Sequence, residues 1–309
     1  MSTETVAGSF AHPALFYRDT DEYLAGTVPF VRAGVAAGEP VAVAVPADGL
    51  AAIRAELGPD AGSVQFLDMT RAGRNPGRII PGVLRAFADR HPAGRVRIIG
   101  EPIWAGRTPT EYPACVQHEA LINVAFHGRA VTILCPYDAG RLAPEVIADA
   151  RATHPVLIED GRTRASDAFA PEQAIADCNH MLVARAGAAT LPFDAELLPA
   201  ARHFAVGRAA QLGLAGRRLD DLALAVAELT TNSVVHGGGS GTVRVWYEDG
   251  QVVCQVEDRG LLRDPLAGRR PPLRDQLGGR GLLLVHEVSD LVRVHTGEQG
   301  TTVRFHFGP

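Results

Sequence analysis

Apolar and polar positions form two different patterns in the two halves of the chain. In the first half, short apolar runs alternate with segments whose apolar residues have helical spacing. Between residues 19 and 37, Leu24, Val28, Val31 and Val35 stand three and four residues apart, which predicts a helix with one buried face. Similar patterns predict further helices at 48–57, 76–90, 111–126 and 141–151. Runs rich in β-branched residues predict buried strands at 40–46, 63–68, 95–102 and 129–138.

These predicted strands are apolar on both faces and alternate with helices. That pattern indicates an α/β domain with a mostly parallel sheet covered by helices on both sides. Ligands of such sheets bind at the carboxyl ends of the strands. The residues expected there are Pro46, Asp68, Glu101 and 135–138.

The second half of the chain has the order of predicted elements that is typical of an α+β domain. Two predicted helices, 194–212 and 218–236, precede a hairpin at 242–258 whose turn is Asp249-Gly250, a dipeptide favoured in tight hairpins. The loop 259–279 follows, and then a helix at 281–288 and strands at 291–296 and 301–307. Between the halves, residues 161–188 show no clear strand, and 171–186 are predicted to form a connecting helix.

Composition narrows the function classes. The formal net charge is −5, so no basic surface for nucleic acid is expected. The four cysteines are far apart without a C-x-x-C pair, which predicts neither a zinc site nor a disulfide framework. The amino terminus lacks the pattern of a signal peptide, and no apolar run reaches the roughly 20 residues needed to span a bilayer. We therefore expect a cytoplasmic protein without a membrane partner.

A polar stripe interrupts the otherwise apolar helix predicted at 218–236. Glu228, Asn232 and His236 are four residues apart and share one helix face. A solvated face is the simpler interpretation of such a stripe. Asn is a poor helix former, however, and its place in mid-helix favours a functional role.

Three further segments carry groups suited to a nucleotide. Asp258 ends an apolar strand and can accept a hydrogen bond from an exocyclic amine, while Gly260 permits close approach of backbone. Glycines at 278, 279 and 281 lead into a helix, whose first amides and dipole favour an anion. Thr301 begins the last strand, where its hydroxyl is expected to support Asp258.

The order of these segments resembles the GHKL ATP-binding fold, an α+β (Bergerat) sandwich. The E-x-x-x-N helix, D-x-G, G-x-G and G-T-T occur in that order between residues 191 and 307, and ELTTNSVVH is most similar to the serine kinases of the anti-sigma-factor class. A histidine-kinase fragment is disfavoured, since neither His154 nor His180 is followed by an acidic residue.

The resemblance implies ATP and Mg²⁺ as cofactors and a role for each matching residue. Glu228 is implied as the general base and Asn232 as the Mg²⁺ ligand, while Asp258 would bind adenine. The residues assigned to ATP binding are Asn232, His236, Asp258, Gly260, Gly279, Arg280, Gly281, Leu282 and Thr301. The loop after Gly260 would form a lid whose positive charge comes from Arg263, Arg269, Arg270 and Arg274. Leu262 departs from the pattern, because many relatives have a second glycine there.

The first half resembles the MEDS sensory domain, which has a RecA-like sheet. The segments HPALFYRDTDEYL, GEPIWAGRTPTEYPACVQHEALIN and ILCPYDAGRL carry the resemblance, which implies a sensor of small molecules. The sensory-site candidates are His12, Tyr17, Glu101, Trp104, Glu119, Cys135 and Tyr137. A packing role for the aromatic members is the alternative interpretation.

The sequence therefore predicts a sensory domain at 12–168, a linker helix at 169–188 and a kinase domain at 189–309. The predicted function is a Mg-ATP-dependent serine/threonine kinase that acts on an anti-sigma-factor antagonist and controls a sigma factor in response to a signal. The sequence does not decide the oligomeric state, and a homodimer is one candidate because relatives of the kinase domain often dimerise. A non-catalytic ATP-binding switch that regulates protein association is the alternative.

Overall fold

A computed structural model of the chain describes residues 10–271 and 279–308. The chain divides into two compact units between Cys178 and Asn179. In the described part of the chain, no helix has both the length and the apolar character needed to cross a membrane.

The N-terminal unit is built on a seven-stranded sheet in the order β3-β2-β4-β5-β1-β6-β7. Every pairing in it is parallel except that of β6 with β7. The strands are β1 (Pro13–Tyr17), β2 (Val41–Val45), β3 (Val64–Asp68), β4 (Val96–Gly100), β5 (Val131–Asp138), β6 (Val156–Glu159) and β7 (Arg162–Ala165). The α-helices are α1 (Thr20–Ala36), α2 (Ala47–Leu57), α3 (Met69–Ala72), α4 (Ala86–Ala88), α5 (Tyr112–Ala125), α6 (Pro144–Thr153) and α7 (Pro171–Asp177).

The predicted α/β class of this unit is confirmed, but β1, β6 and β7 were not predicted and one predicted helix differs. The helix expected at 76–90 is a 3₁₀ turn (Pro76–Arg78), a π-helical segment (Ile79–Arg85) and the short α4. Pro81 lies within the π segment and has no amide hydrogen for a regular α-helical bond, which accounts for the irregularity. No strand was predicted after residue 161, and this was wrong, because β7 lies there. β7 is wholly exposed and is held by a turn at Asp160-Gly161, where both φ angles are positive.

The C-terminal unit is a five-stranded antiparallel sheet in the order β11-β12-β10-β9-β8. Its strands are β8 (Ala189–Asp194), β9 (Ser240–Glu248), β10 (Gln251–Asp258), β11 (Leu291–Gly297) and β12 (Gly300–Phe307), and its helices are α8 (Leu198–Gln211), α9 (Arg217–Val235) and α10 (Gly281–Val288). One apolar core joins the inward residues of the sheet to the three helices. The α+β prediction is confirmed, and Asp249 and Gly250 have the positive φ angles that the hairpin turn requires.

The connecting helix predicted over 171–186 was wrong beyond Asp177, where α7 ends. Asn179 accounts for the change, because its side chain binds the backbone of Thr296 on β11 twice, with bonds of 2.8 and 3.0 Å. The carbonyls of Leu182 and Val183 then accept bonds from the side chains of Gln255 and Arg304, which lie on the sheet. Bonds to side chains of the sheet therefore replace helical bonding at the start of the C-terminal unit.

Candidate functional site

The polar stripe lies on α9, the long helix beneath the sheet. Leu222, Val226 and Leu229 are buried in the core and fix the rotation of the helix. Glu228 and Asn232 are thereby left half-buried on an adjoining face. His236 ends α9 as an exposed residue, so it lies at the rim of the candidate site.

The carboxylate of Asp258 is held in place at the end of β10. Its two oxygens accept separate bonds, at 2.7 Å from the hydroxyl of Ser233 and at 2.8 Å from the amide of Gly260. Gly237 lies so close that a Cβ there would be 2.4 Å from Cγ of Asp258. Ser233 and Gly237 were not predicted from the sequence, because their contacts arise from the packing of α9 against β10.

Thr301 has a different role from the one expected. It pairs with Asp258 across β10 and β12, but its hydroxyl donates to the carbonyl of Gly260 at 2.7 Å. The same hydroxyl accepts from the amide of Leu262 at 3.3 Å. Thr301 therefore supports the backbone that follows Asp258, while Ser233 supports the carboxylate itself.

The amino end of α10 lies directly against Glu228 and Asn232. A Cβ on Gly281 would be 2.6 Å from Oε2 of Glu228 and 3.2 Å from Nδ2 of Asn232. Arg280 begins α10 as an exposed residue without a side-chain cap, and Gly279 has a φ of 77°. The first amides and the positive end of the helix dipole therefore lie where an anion is favoured.

The loop before α10 is described only in part. Gly268 packs against half-buried Leu282, with a φ of 71° that favours glycine. Of the arginines expected to bind phosphate, Arg263 is exposed, Arg269 is buried and Arg270 forms an ion pair with Asp264. Gly278 and Arg274 lie outside the described residues.

The residues present fit ATP on one local observation: glycine backbone at Gly237, Gly260 and Gly281, here called the glycine-lined site, packs closely against the candidate side chains and their neighbours. Gly260 is a second close approach, since a Cβ there would be 2.7 Å from the carbonyl of His236. The oriented carboxylate of Asp258 lies beside Gly237 and Gly260, and Asn232 lies beside Gly281 at the amino end of α10. An amine acceptor and an anion-favouring helix terminus are the two kinds of group that an adenine nucleotide requires.

Four buried side chains converge in the N-terminal unit, three of which the sequence analysis proposed for the sensory site. Glu119 lies 3.2 Å from Nε2 of His12 and 3.1 Å from Nε2 of His154, while Sγ of Cys135 lies 3.4 Å from His12. Tyr137 touches the cluster edge-on through the His154 ring. His154 was not among the predicted residues, because it precedes β6 and approaches His12 only through the pairing of β6 with β1.

Electrostatic effects within this cluster are strong. Burial and the neighbouring His154 lower the pKa of His12 to about 4. Burial alone would raise the pKa of Glu119, but the two imidazoles hold that pKa below its usual value. Burial also raises the pKa of the Cys135 thiol.

The other sensory candidates make different contacts from those of the cluster. The hydroxyl of Tyr17 donates to Glu101 at 3.2 Å, and the two rings of Tyr17 and Tyr23 pack together. Trp104 stacks with the guanidinium of Arg107 at 3.9 Å, which fits a packing role. Tyr17, Glu101 and Trp104 therefore have contacts of their own in addition to the buried cluster.

Glu101 is predicted to make the N-terminal unit more stable at lower pH. Burial raises its pKa to about 8, a bond from Tyr17 opposes this shift, and Asp138 adds to it. Between about pH 4.5 and 8 the folded state then holds a proton that the unfolded state has lost. Stability therefore falls as pH rises through this window, by up to about 1.4 kcal/mol per pH unit.

Unfolding followed at several pH values tests this expectation with Glu101→Gln, which cannot titrate. The difference in unfolding free energy between wild type and variant should move in favour of the wild type as pH falls from 8 to 5. Exposed Glu145→Gln serves as the control and should leave the pH profile unchanged. Parallel profiles for the wild type and Glu101→Gln would contradict the shifted pKa.

Comparisons with known proteins agree with the geometry. The MEDS profile (methanogen/methylotroph, DcmR sensory domain) matches residues 11–155, and the histidine kinase-like ATPase profile matches residues 191–307. A 97-residue segment is 29% identical to an anti-sigma F factor of Clostridium acetobutylicum. That alignment covers 28% of this chain and 66% of the clostridial protein, so slightly less than two thirds of the relative is matched.

Each profile lies within one of the two compact units. The first covers the parallel sheet up to the end of α6, and the second covers the antiparallel sheet with the glycine-lined site. The chain therefore carries a MEDS domain at its N terminus and a GHKL-type, histidine kinase-like ATPase domain at its C terminus.

Proposed function

We propose that the C-terminal domain is a Mg-ATP-dependent kinase that phosphorylates a serine or threonine of an anti-sigma-factor antagonist. The observation that carries this proposal is the contact of Glu228 and Asn232 with the amino end of α10. A carboxylate and an amide thus lie in direct contact with a helix terminus that can bind phosphate. The similarity to an anti-sigma F factor supports this choice of partner.

The binding roles follow from the surroundings of each residue. Asp258, oriented by Ser233 and Gly260, would accept a bond from the adenine amine. Gly279, Arg280, Gly281 and Leu282 would surround the phosphates with backbone amides and one guanidinium. Asn232 would hold Mg²⁺ through its side-chain oxygen, while His236 would border the nucleotide at the rim. Bound Mg-ATP supplies the phosphoryl group, with its charge partly neutralised by the metal.

Glu228 would take the proton as the phosphoryl group moves. The serine oxygen forms a bond to the γ-phosphorus, the bond to the bridging oxygen of ADP breaks, and the hydroxyl proton passes to the carboxylate. Phosphoryl transfer depends mainly on position and charge neutralisation, so this small set of groups is chemically sufficient. The N-terminal MEDS domain would bias the reaction in response to a signal and so control the sigma factor.

Binding and transfer can be measured separately with one pair of variants. Asn232→Ala is expected to weaken Mg-ATP binding by about tenfold or more, because an interaction with a charged group is lost. Thr231→Ala changes the adjacent, exposed residue of α9 and should bind like the wild type. Equal Mg-ATP affinity in Asn232→Ala and Thr231→Ala would reject the role of Asn232.

Transfer is tested by incubating the full chain with labelled ATP, Mg²⁺ and the antagonist proteins encoded in the same genome. Label on a serine or threonine of an antagonist supports the kinase. ATP binding without transfer to any of these proteins would sink the kinase assignment and favour the non-catalytic switch.

A further inference from the structure

The cluster of His12, Glu119, Cys135 and His154 has an unusual shortage of hydrogen-bond donors. All four side chains are buried, and the atoms that could bind a metal ion lie within 4.8 Å of one another. Among the described residues, neither oxygen of Glu119 has a hydrogen-bond partner of normal geometry, and the same is true of Nε2 of His154. An ionised carboxylate is costly to bury without a partner of opposite charge.

Neighbouring groups fix which nitrogen of each imidazole carries the proton. Nδ1 of His154 lies 2.8 Å from the carbonyl of Ala150, which can only accept. Nδ1 of His12 lies 3.2 Å from Oδ1 of Asn123, whose amide group is already committed as donor to the carbonyl of Thr153 at 2.8 Å. Both Nδ1 atoms must therefore donate, and both Nε2 atoms present lone pairs to the cluster when the rings are neutral.

The centre of the cluster thus receives lone pairs from two imidazoles, a carboxylate and a sulfur. A single cation at this centre would satisfy all four groups at once. Tetrahedral zinc has bonds of about 2.0–2.3 Å, which place its ligand atoms about 3.3–3.8 Å apart. The contacts of 3.1, 3.2 and 3.4 Å in the cluster are close to that spacing.

We propose that His12, Glu119, Cys135 and His154 form a closed, four-ligand site for one divalent metal ion of the zinc class. The charges balance, since two positive charges meet one carboxylate and one thiolate. Binding displaces the thiol proton of Cys135 into solvent, so one proton is released per metal ion. The contacts of Asn123 and Ala150 to the outer imidazole nitrogens orient both rings, as in known zinc sites.

The four proposed ligands come from different elements of the fold, so a bound metal ion would affect the stability of the domain. His12 directly precedes β1, Glu119 lies in mid-α5, Cys135 lies in β5 and His154 ends α6. One ion would join the two central strands of the sheet to the helices that cover them. Metal occupancy would thus control the stability of the MEDS domain, independently of the kinase proposal.

Cobalt titration of the full-length, chelator-treated and reduced protein tests the site directly. We expect uptake of one Co²⁺ per chain with the strong visible bands of tetrahedral cobalt and a thiolate charge-transfer band in the near ultraviolet. Zn²⁺ should bleach both, and calorimetry in buffers of different ionisation enthalpy should show one proton released. A folded protein that takes up no Co²⁺, or that gives only a weak octahedral spectrum, would overturn the proposal.

Matched variants assign the signal to these side chains. Cys135→Ser should remove the charge-transfer band, whereas Cys254→Ser, at a buried thiol in the other unit, should retain it. Asn123→Ala should weaken metal binding by about 10- to 100-fold by releasing the His12 ring. His118→Gln changes the buried histidine beside Glu119 and should leave affinity unchanged. A charge-transfer band that survives in Cys135→Ser would exclude the proposed ligand set.

Discussion

Glu228→Gln is expected to lower phosphoryl transfer by at least about 100-fold while Mg-ATP still binds. General base catalysis contributes about 10²- to 10⁴-fold to such reactions, and glutamine keeps the shape of the side chain without its basicity. The space beside Gly281 is preserved in this variant, because the Oε2 position near that residue is still filled. Single-turnover transfer and nucleotide affinity should be measured on the same preparation.

The control for this variant is Glu196→Gln, an exposed position before α8. It should match the wild type in both measurements. If Glu228→Gln transfers phosphate at the wild-type rate, Glu228 is not the base and its carboxylate serves only the packing of α9 against α10. If nucleotide affinity falls together with transfer, the residue contributes to binding of the ground state.

Gly300→Ala is expected to lower the free energy of unfolding of the C-terminal domain by at least about 2 kcal/mol. Gly300 has a φ of 122°, and a Cβ there would lie 1.8 Å from the carbonyl oxygen of Asp258. The obstructing atom belongs to the backbone of β10, so no side-chain rotation can relieve the clash. Separation of β12 from β10 at this point would also displace Asp258.

Hydrogen exchange localises this effect within the intact chain. Amides of 251–258 and 300–307 should exchange faster in Gly300→Ala. Gly207→Ala is the matched control, because its Cβ would meet nothing within 4 Å in the interior of α8. That substitution should be neutral or stabilising by about 1 kcal/mol. Unchanged protection of both strands in Gly300→Ala would show that the turn can tolerate a side chain.

The candidate nucleotide residues could be predicted because their pattern is local. Glu228 and Asn232 belong to one helix, and Asp258-Gly260 and Gly279-Gly281 each lie within three residues. Ser233 escaped notice since its partner Asp258 is 25 positions away and becomes adjacent only when α9 packs on β10. Spacing rules describe elements well, and they reveal little about contacts made between elements.

The buried cluster shows the same limit more sharply. Cysteine spacing argued against a zinc site, but that rule detects only ligands paired along the chain. His12 and His154 are 142 positions apart, and their rings come to 4.0 Å only because β1 pairs with β6. The sequence analysis did not predict either of these strands. Likewise, α7 ends before the predicted boundary because the side chain of Asn179 bonds to the backbone of β11. Local periodicity cannot reveal a contact with so distant a strand.

Thr296 links the start of the ATPase domain to the backbone that follows Asp258. Its backbone holds Asn179, while its hydroxyl accepts from the amide of Leu262 and lies 3.1 Å from the hydroxyl of Thr301. Thr301 in turn holds the carbonyl of Gly260. The point where the polypeptide joins this domain is thus bonded to the same residue that holds the backbone following Asp258. Tension applied at residue 179 would reach Gly260 through the side chains of Asn179, Thr296 and Thr301, without passing through the hydrophobic core.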